Sequence, residues 1–425
     1  MSETGGSGSA RETLEIVRMG AQGDGIAHGE GGHPVFVPFA LRGERVVVER
    51  DGERARLIEI EQASEDRVAP LCRHFTHCGG CDVQHMSARL YADWKRQLVV
   101  DAFAQRGIDA PVAPLETIGP GTRRRAVLSA VMTRNGVVLG FHAARDATIV
   151  DLAECPILTP RLAALLPALR GLIAALPRFE GEARVTLVEA DNGVSVAIAD
   201  AVARKDLGAE AVARLARAAA DVPGLIRLAI AGDVIYERAA PELAMGRARV
   251  VPPAEGFLQA AKAAETAMVR HILAALPKKV ARIADLFAGV GAFTLPLAER
   301  ASVLAVDSDR AALDALARAA RNAQGLKPIE VRQRDLFREP LSRKELEPFD
   351  AVVIDPPRAG AKAQSEMLAK SKVPLIVAVS CNPATLARDV RLLVDAGYAL
   401  EAVTPIDQFV FSAHVEAVAV LRRTK

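Results

Sequence analysis

From residue 254 to the C-terminus, short strand-like runs of mostly apolar residues alternate with stretches of helical spacing, and this rhythm limits the possible folds most strongly. It is the pattern of a parallel sheet whose helical crossovers cover its faces. An α/β fold follows for this third of the chain. In such folds ligands bind at the carboxyl ends of the strands, so the residues after each run are the candidates for chemistry.

After the first run, at 283–286, Phe287-Ala288-Gly289-Val290-Gly291-Ala292-Phe293-Thr294 forms a glycine turn leading into a helix at 295–299. Glycines let a ligand approach the backbone, but Thr294 stands where the dinucleotide fingerprint has its third glycine, which weakens a nicotinamide reading. The second run, 302–306, ends at Asp307, whose carboxylate can accept hydrogen bonds from both hydroxyls of a ribose and so points to a nucleoside-containing cofactor. Asp335, after the run at 329–332, either takes an adenine amino group or caps a helix. The run at 351–354 ends in Asp355-Pro356-Pro357-Arg358, and the run at 375–379 in Ser380-Cys381-Asn382-Pro383. Neighbouring strand ends would aim Asp355 and Cys381 at one site, where a loop thiol reads as a nucleophile rather than as a core residue. A closing hairpin, 398–403 and 415–421, brings His414 and Glu416 towards the same edge.

The chain has five cysteines and no secretory leader pattern, which argues against a disulfide framework. Cys72, Cys78 and Cys81 fall within ten residues around two glycines, and Cys155 is the remaining thiol outside the C-terminal third. Four such ligands suit an iron–sulfur cluster or zinc, and a triplet with one distant cysteine leans towards the cluster.

At 425 residues the chain exceeds one comfortable core, and several domains are expected. Residues 1–10 read as an unstructured leader. Residues 11–65, with alternating runs such as Val35-Phe36-Val37 between glycines, read as a small antiparallel barrel. Residues 66–252 form a central α+β domain with a helix at 90–106, strands at 127–132, 185–189 and 194–199, and a helix at 162–176. Residues 253–425 are the α/β domain. No apolar stretch approaches the roughly 18 residues of a membrane span, so a cytoplasmic protein without membrane contact is expected. The net charge of +2 announces no nucleic-acid partner by itself, and Arg123-Arg124-Arg125 is either a phosphate contact or a solvated surface run.

These motifs together resemble the uracil-C5 RNA methyltransferases, over nearly the whole length from Glu12. The resemblance rests on Asp-Pro-Pro-Arg, on Ser-Cys-Asn-Pro-x-Thr-Leu-Ala-Arg-Asp, on the terminal His-x-Glu and on the cysteine set. It implies a Rossmann-like class I S-adenosylmethionine methyltransferase domain and an N-terminal OB-like TRAM barrel. It also implies a 4Fe-4S cluster on Cys72, Cys78, Cys81 and Cys155. Gln259, Phe287, Ala292, Asp307, Asp335 and Asp355 match cofactor-contacting positions, Cys381 the nucleophile and Glu416 the general base. A TRAM barrel with a cluster most resembles the 23S ribosomal RNA enzymes; a tRNA substrate is the alternative, and a monomer is expected. Three departures stand out: Ala292 where the family often has Asn, Ala261 after Leu258-Gln259-Ala260 where an Asn is usual nearby, and Gln408-Phe-Val-Phe-Ser-Ala in place of a more typical Met-Phe-Pro-x-Thr-x before His414. Cytosine-C5 RNA enzymes typically use two active-site cysteines, and this catalytic third holds one. A reading of another class is an iron–sulfur RNA-binding or redox protein with a non-catalytic methyltransferase fold.

Overall fold

The computed structural model describes residues 11–424, so the leader at 1–10 lies outside the described residues. Six strands form the first sheet, in the order Arg11–Glu15, Arg45–Asp51, Arg54–Gln62, Pro34–Val37, Gly25–His28, Arg18–Met19. Its pairings are antiparallel except where Pro34–Val37 touches Arg54–Gln62. Period-two alternation sends Val35, Val37, Val46 and Val48 inward with Leu14, Ile16 and Ala27 to make a small closed core.

A second, seven-stranded mixed sheet runs from Asp233–Glu237 at one edge to Ile149–Asp151 at the other, with Gly193–Ala199, Ala183–Ala190 and Arg125–Thr133 in its middle. The helix Pro160–Ala174 buries Leu162, Leu165, Leu166 and Leu169 in the same core as Leu128, Leu187 and Val196. Sequence periodicity reveals the central strands and this helix. It misses Leu225–Ile230, every residue of which is buried, because the run is short and Arg227 in its middle breaks any period.

The third sheet also has seven strands, ordered Ile329–Gln333, Ser302–Asp307, Arg282–Leu286, Ala351–Ile354, Leu375–Ser380, Glu416–Arg423, Tyr398–Ile406. The first five are parallel; Glu416–Arg423 enters antiparallel beside Leu375–Ser380 and pairs with Tyr398–Ile406. The chain order reverses between Arg282–Leu286 and Ala351–Ile354, and the crevice at such a switch point is where open sheets hold ligands. Helix Ala88–Ala104, far upstream, covers this sheet: Val99, Ala102 and Phe103 share a core with Val352, Ile376 and Leu386. No helix among the described residues is long and apolar enough to cross a membrane.

Candidate active site

The cofactor side is built at the end of strand Arg282–Leu286. Phe287 takes a left-handed conformation (φ 64°), followed by Gly289 at φ 54° and Gly291 at φ 96°. A Cβ on Gly291 would meet Leu316 Cδ1 at 2.5 Å, so glycine is required there for the turn to pack on the helix Arg310–Asn322. Asp307 Oδ2 accepts from the Gly289 amide at 2.8 Å, and Oδ1 from the Asp309 amide at 2.8 Å. This fixes the carboxylate while leaving lone pairs for ribose hydroxyls. Thr294, in the place of the third glycine, donates to buried Asp285 Oδ2 at 2.5 Å. Asp285 Oδ1 has no partner, and burial, with Asp355 and Asp307 nearby, pushes this carboxyl up to about 7.

A cavity of about 550 Å³ opens from this turn and is lined by Gln259, Phe287, Ala292, Asp307, Asp355, Cys381 and Glu416. Three residues expected from sequence meet as the topology demands, Asp355 and Cys381 from adjacent parallel strand ends and Glu416 from the first residue of the antiparallel insertion. Two carboxamides join the acids: Gln259 Nε2 donates to Asp355 Oδ2 at 2.9 Å, while Gln408 Nε2 donates to Gln259 Oε1 at 2.8 Å and to Glu416 Oε2 at 2.9 Å. Burial and the Asp355 charge hold Glu416 well above the usual carboxylate range, and burial pushes Asp355 up to about 7. Cys381 is pushed up to about 11 by burial and by Glu416 and Asp355, with Arg358 opposing. The lining carries acidic side chains at Asp307, Asp309, Asp355 and Glu416, with Glu265 paired to Arg124 and Arg358 at the Cys381 end, and Asp307 and Asp309 favour a positively charged guest.

One sequence expectation is corrected, at Arg123 to Arg125. Asp335 Oδ1 accepts from the Phe337 amide at 3.0 Å and its Oδ2 faces Arg338 at 3.5 Å, a turn that presents Phe337 to the cavity. Phe337 stands 5.4 Å from Phe287, ring to ring, and is half exposed at the rim. The run Arg123-Arg124-Arg125 is no surface phosphate patch. Arg124 is buried against Glu265 at 2.6 Å, Arg123 is half-buried and bonds Arg125 O, and Arg125 lies over the Phe257 ring. Sequence reasoning missed Phe257, Phe337, Arg358 and Gln408; only Arg358 and Gln408, inside quoted motifs, left a signal.

The segment that carries Gln408 to Glu416 is held from a distance. Lys95 Nζ, fully buried on helix Ala88–Ala104, reaches Asp407 Oδ1 at 2.5 Å and Phe409 O at 2.7 Å, and Tyr91 donates to the same carboxylate. Phe411, left-handed at φ 61°, accepts at its carbonyl from the amides of Asp82 and Val83 at 2.8 and 3.1 Å. Asp82 Oδ2 also accepts from the Ala413 amide at 3.0 Å. The residues directly after Cys81 therefore clamp the loop that ends in the His-x-Glu motif.

Cys72, Cys78, Cys81 and Cys155 line one enclosed cavity with Phe75, Phe141, Leu152 and Ile157. Burial raises Cys78, pushes Cys81 up to about 12 and Cys155 up to about 11, and neighbouring thiols add to each. Among the described residues no three His, Cys, Asp or Glu side chains converge as on a single metal ion.

A doubly wound sheet with a glycine turn, a strand-end acid and a reactive pocket at the switch point is the architecture of a class I methyltransferase. The chain matches a family described as tRNA (Uracil-5-)-methyltransferase over residues 247–424. It is 47% identical over 410 residues to an RNA methyltransferase of Brucella suis described as uncharacterized, covering 96% of this chain and 97% of that one. It is 37% identical over 449 residues to the 23S rRNA (uracil(1939)-C(5))-methyltransferase RlmD of Halomonas elongata, covering 99% of this chain and 91% of that one. In fold it is similar to the Pyrococcus abyssi tRNA (uracil-54, C5)-methyltransferase crystallised with S-adenosyl-L-homocysteine, at TM-score 0.74 and 24% identity over 98% of this chain and 100% of that one. The chain belongs to the RNA uracil-5-methyltransferase family and is an S-adenosylmethionine-dependent RNA methyltransferase.

Proposed function

We propose that this enzyme methylates C5 of a uridine in 23S ribosomal RNA through a covalent bond from Cys381 Sγ to C6 of the base. The observation that carries this reading is that Cys381, Asp355 and Glu416 line one cavity with the Asp307–Gly289 turn. Asp307 would hold the ribose of S-adenosylmethionine, with Phe287 and Phe337 flanking its adenine; Gln259, a cofactor position by family likeness, braces Asp355. Bound there, the donor supplies the methyl group and a sulfonium charge suited to the acidic lining. C5 of uracil is too weak a nucleophile alone. Cys381 adds to C6 and shifts the C5=C6 electrons onto C5. Once C5 bears the methyl group, Glu416 removes its proton, the C–H pair restores C5=C6, and the Cys381–C6 bond breaks. Asp355 would grip the uracil edge, and a stacked uridine must first be extruded.

The ribosomal target is supported by identity along the whole chain to the Halomonas enzyme, which bears that name, and by the barrel and cysteine set at the N-terminus. We read residues 11–65 as an RNA-binding TRAM-like barrel, 66–252 as the cluster-bearing domain and 253–425 as the catalytic domain, at work in the cytoplasm. Between the barrel and the cysteine loop lies a groove of about 1170 Å³ lined by Arg50, Arg54, Arg56 and Arg145 with Phe39 and His77; Glu49 and Asp51 share it, and each arginine pairs with an acid, so phosphates would have to compete for these cations. Four thiols around one apolar cavity suit a 4Fe-4S cluster, which takes one thiolate at each iron, and Gly80 already donates its amide to Cys78 Sγ at 3.4 Å. Cys72, Cys78, Cys81 and Cys155 would hold it, and it would supply cross-linking of the fold and a one-electron centre.

Purified enzyme with labelled S-adenosylmethionine and unmodified ribosomal RNA should yield 5-methyluridine, and a trapped protein–RNA adduct when the RNA carries 5-fluorouridine. Methylation of tRNA but not 23S RNA would move the target; absence of both products would sink the reading.

A further inference from the structure

We propose that Gln408 is a positioning residue that keeps Glu416 ionised and aimed for the final proton removal. The inference rests on the reading of Glu416 as the base. Three observations carry it. Gln408 Nε2 spends both its hydrogens inside the site, one on Glu416 Oε2 at 2.9 Å and one on Gln259 Oε1 at 2.8 Å. Gln259 in turn donates to Asp355, so the two carboxamides run in the one sense that hands a donor to each acid. That sense favours carboxylates over carboxylic acids at both ends, against the burial that raises them.

The second observation is the cost. Gln408 is 3% exposed and its Oε1 is buried without a partner. An idle buried acceptor is unfavourable, and a methionine of similar size would avoid it. The third is rigidity. Asp407, the preceding residue, is locked by Lys95 and Tyr91, and the Gln408 backbone amide bonds Ile406 O at 3.0 Å, so the backbone that carries the carboxamide is held before substrate arrives.

The test replaces the amide and leaves the volume: Gln408→Met, with Gln408→Leu as a second variant should the first fold poorly. The expected result is a fall in kcat of about tenfold or more with KM for RNA and for S-adenosylmethionine unchanged. The acidic limb of the pH–rate profile moves to higher pH, because the lost donor had been lowering Glu416. With ordinary uridine RNA the methylated covalent adduct accumulates, since release waits on the base. With 5-fluorouridine RNA, where no proton can be removed, adduct forms at the wild-type rate. Wild-type turnover and pH profile in both variants would overturn the proposal. So would adduct formation on 5-fluorouridine that falls in step with turnover, the mark of a packing defect. Failure of the underlying reading looks different: Glu416→Gln would then release methylated RNA as fast as the parent enzyme.

Discussion

Cys81 and Cys381 are both partly buried thiols whose ionisation burial opposes, one pushed up to about 12 and the other up to about 11. Their company differs. Cys81 shares a small apolar cavity with three more thiols, where only a group that binds sulfur can relieve the shared cost. Cys381 stands alone on the wall of a large cavity among Asp355, Glu416 and Arg358, with room for a base and a cofactor. On the proposed reading the same side chain would be a ligand in one place and a nucleophile in the other, because of how many sulfurs surround it and how much space it faces. The two regions are also joined: Asp82 and Val83, beside Cys81, hold Phe411 and Ala413, and His414 and Glu416 lie one and three residues further on.

The largest expected effect separates the regions outright. Cys381→Ala should lower methylation by about a thousandfold or more and abolish the 5-fluorouridine adduct, while leaving the visible absorbance of the protein unchanged. Cys81→Ser should do the reverse first: loss of that absorbance, a lower melting temperature, and a partial loss of activity through the slackened loop. A single mutant that removed both absorbance and adduct at once would break the distinction.

The joint itself is tested at Lys95. Lys95→Met leaves the Asp407 carboxylate buried without its cation, and should cost about 3–5 kcal/mol in urea unfolding, together with a fall in kcat. Retained kcat in the folded variant would show that the loop needs no clamp. A gentler probe is pH. The proposed mechanism uses Glu416 ionised and Cys381 as a thiolate, and both are held above their ordinary values, so activity should rise about a hundredfold or more between about pH 6 and pH 8. A flat profile would deny one of the two roles.

The smallest effect concerns Asp285, whose folded pKa is raised from 3.8 to about 7. Between those values the folded state binds more protons than the unfolded, so stability falls as pH rises through that window, and the penalty is fully present above it. Asp285→Asn should therefore melt higher than the parent by ~2–4 °C above neutral pH and lose that advantage as pH falls towards 4.

Local chemistry made much of this legible from residue order alone. The five parallel strands, the glycine turn and the strand-end positions of Asp307, Asp355 and Cys381 follow from apolar runs and from where such runs must end. Asp335 was legible only as a choice between two roles, and what the structure adds is its bond to the Phe337 amide. The Arg123 to Arg125 run misled because charge in sequence says nothing of burial, and Arg124 is paired inside with Glu265.

Sequence by itself determined which side chains could do chemistry, since thiols, carboxylates and glycines declare themselves by type and spacing. Tertiary structure alone decided their company: the Gln259–Gln408 bridge between Asp355 and Glu416, the Phe257 and Phe337 rim, and the clamp from Asp82 to Ala413. These contacts join residues up to 331 positions apart, and no local periodicity encodes a hydrogen bond across that distance.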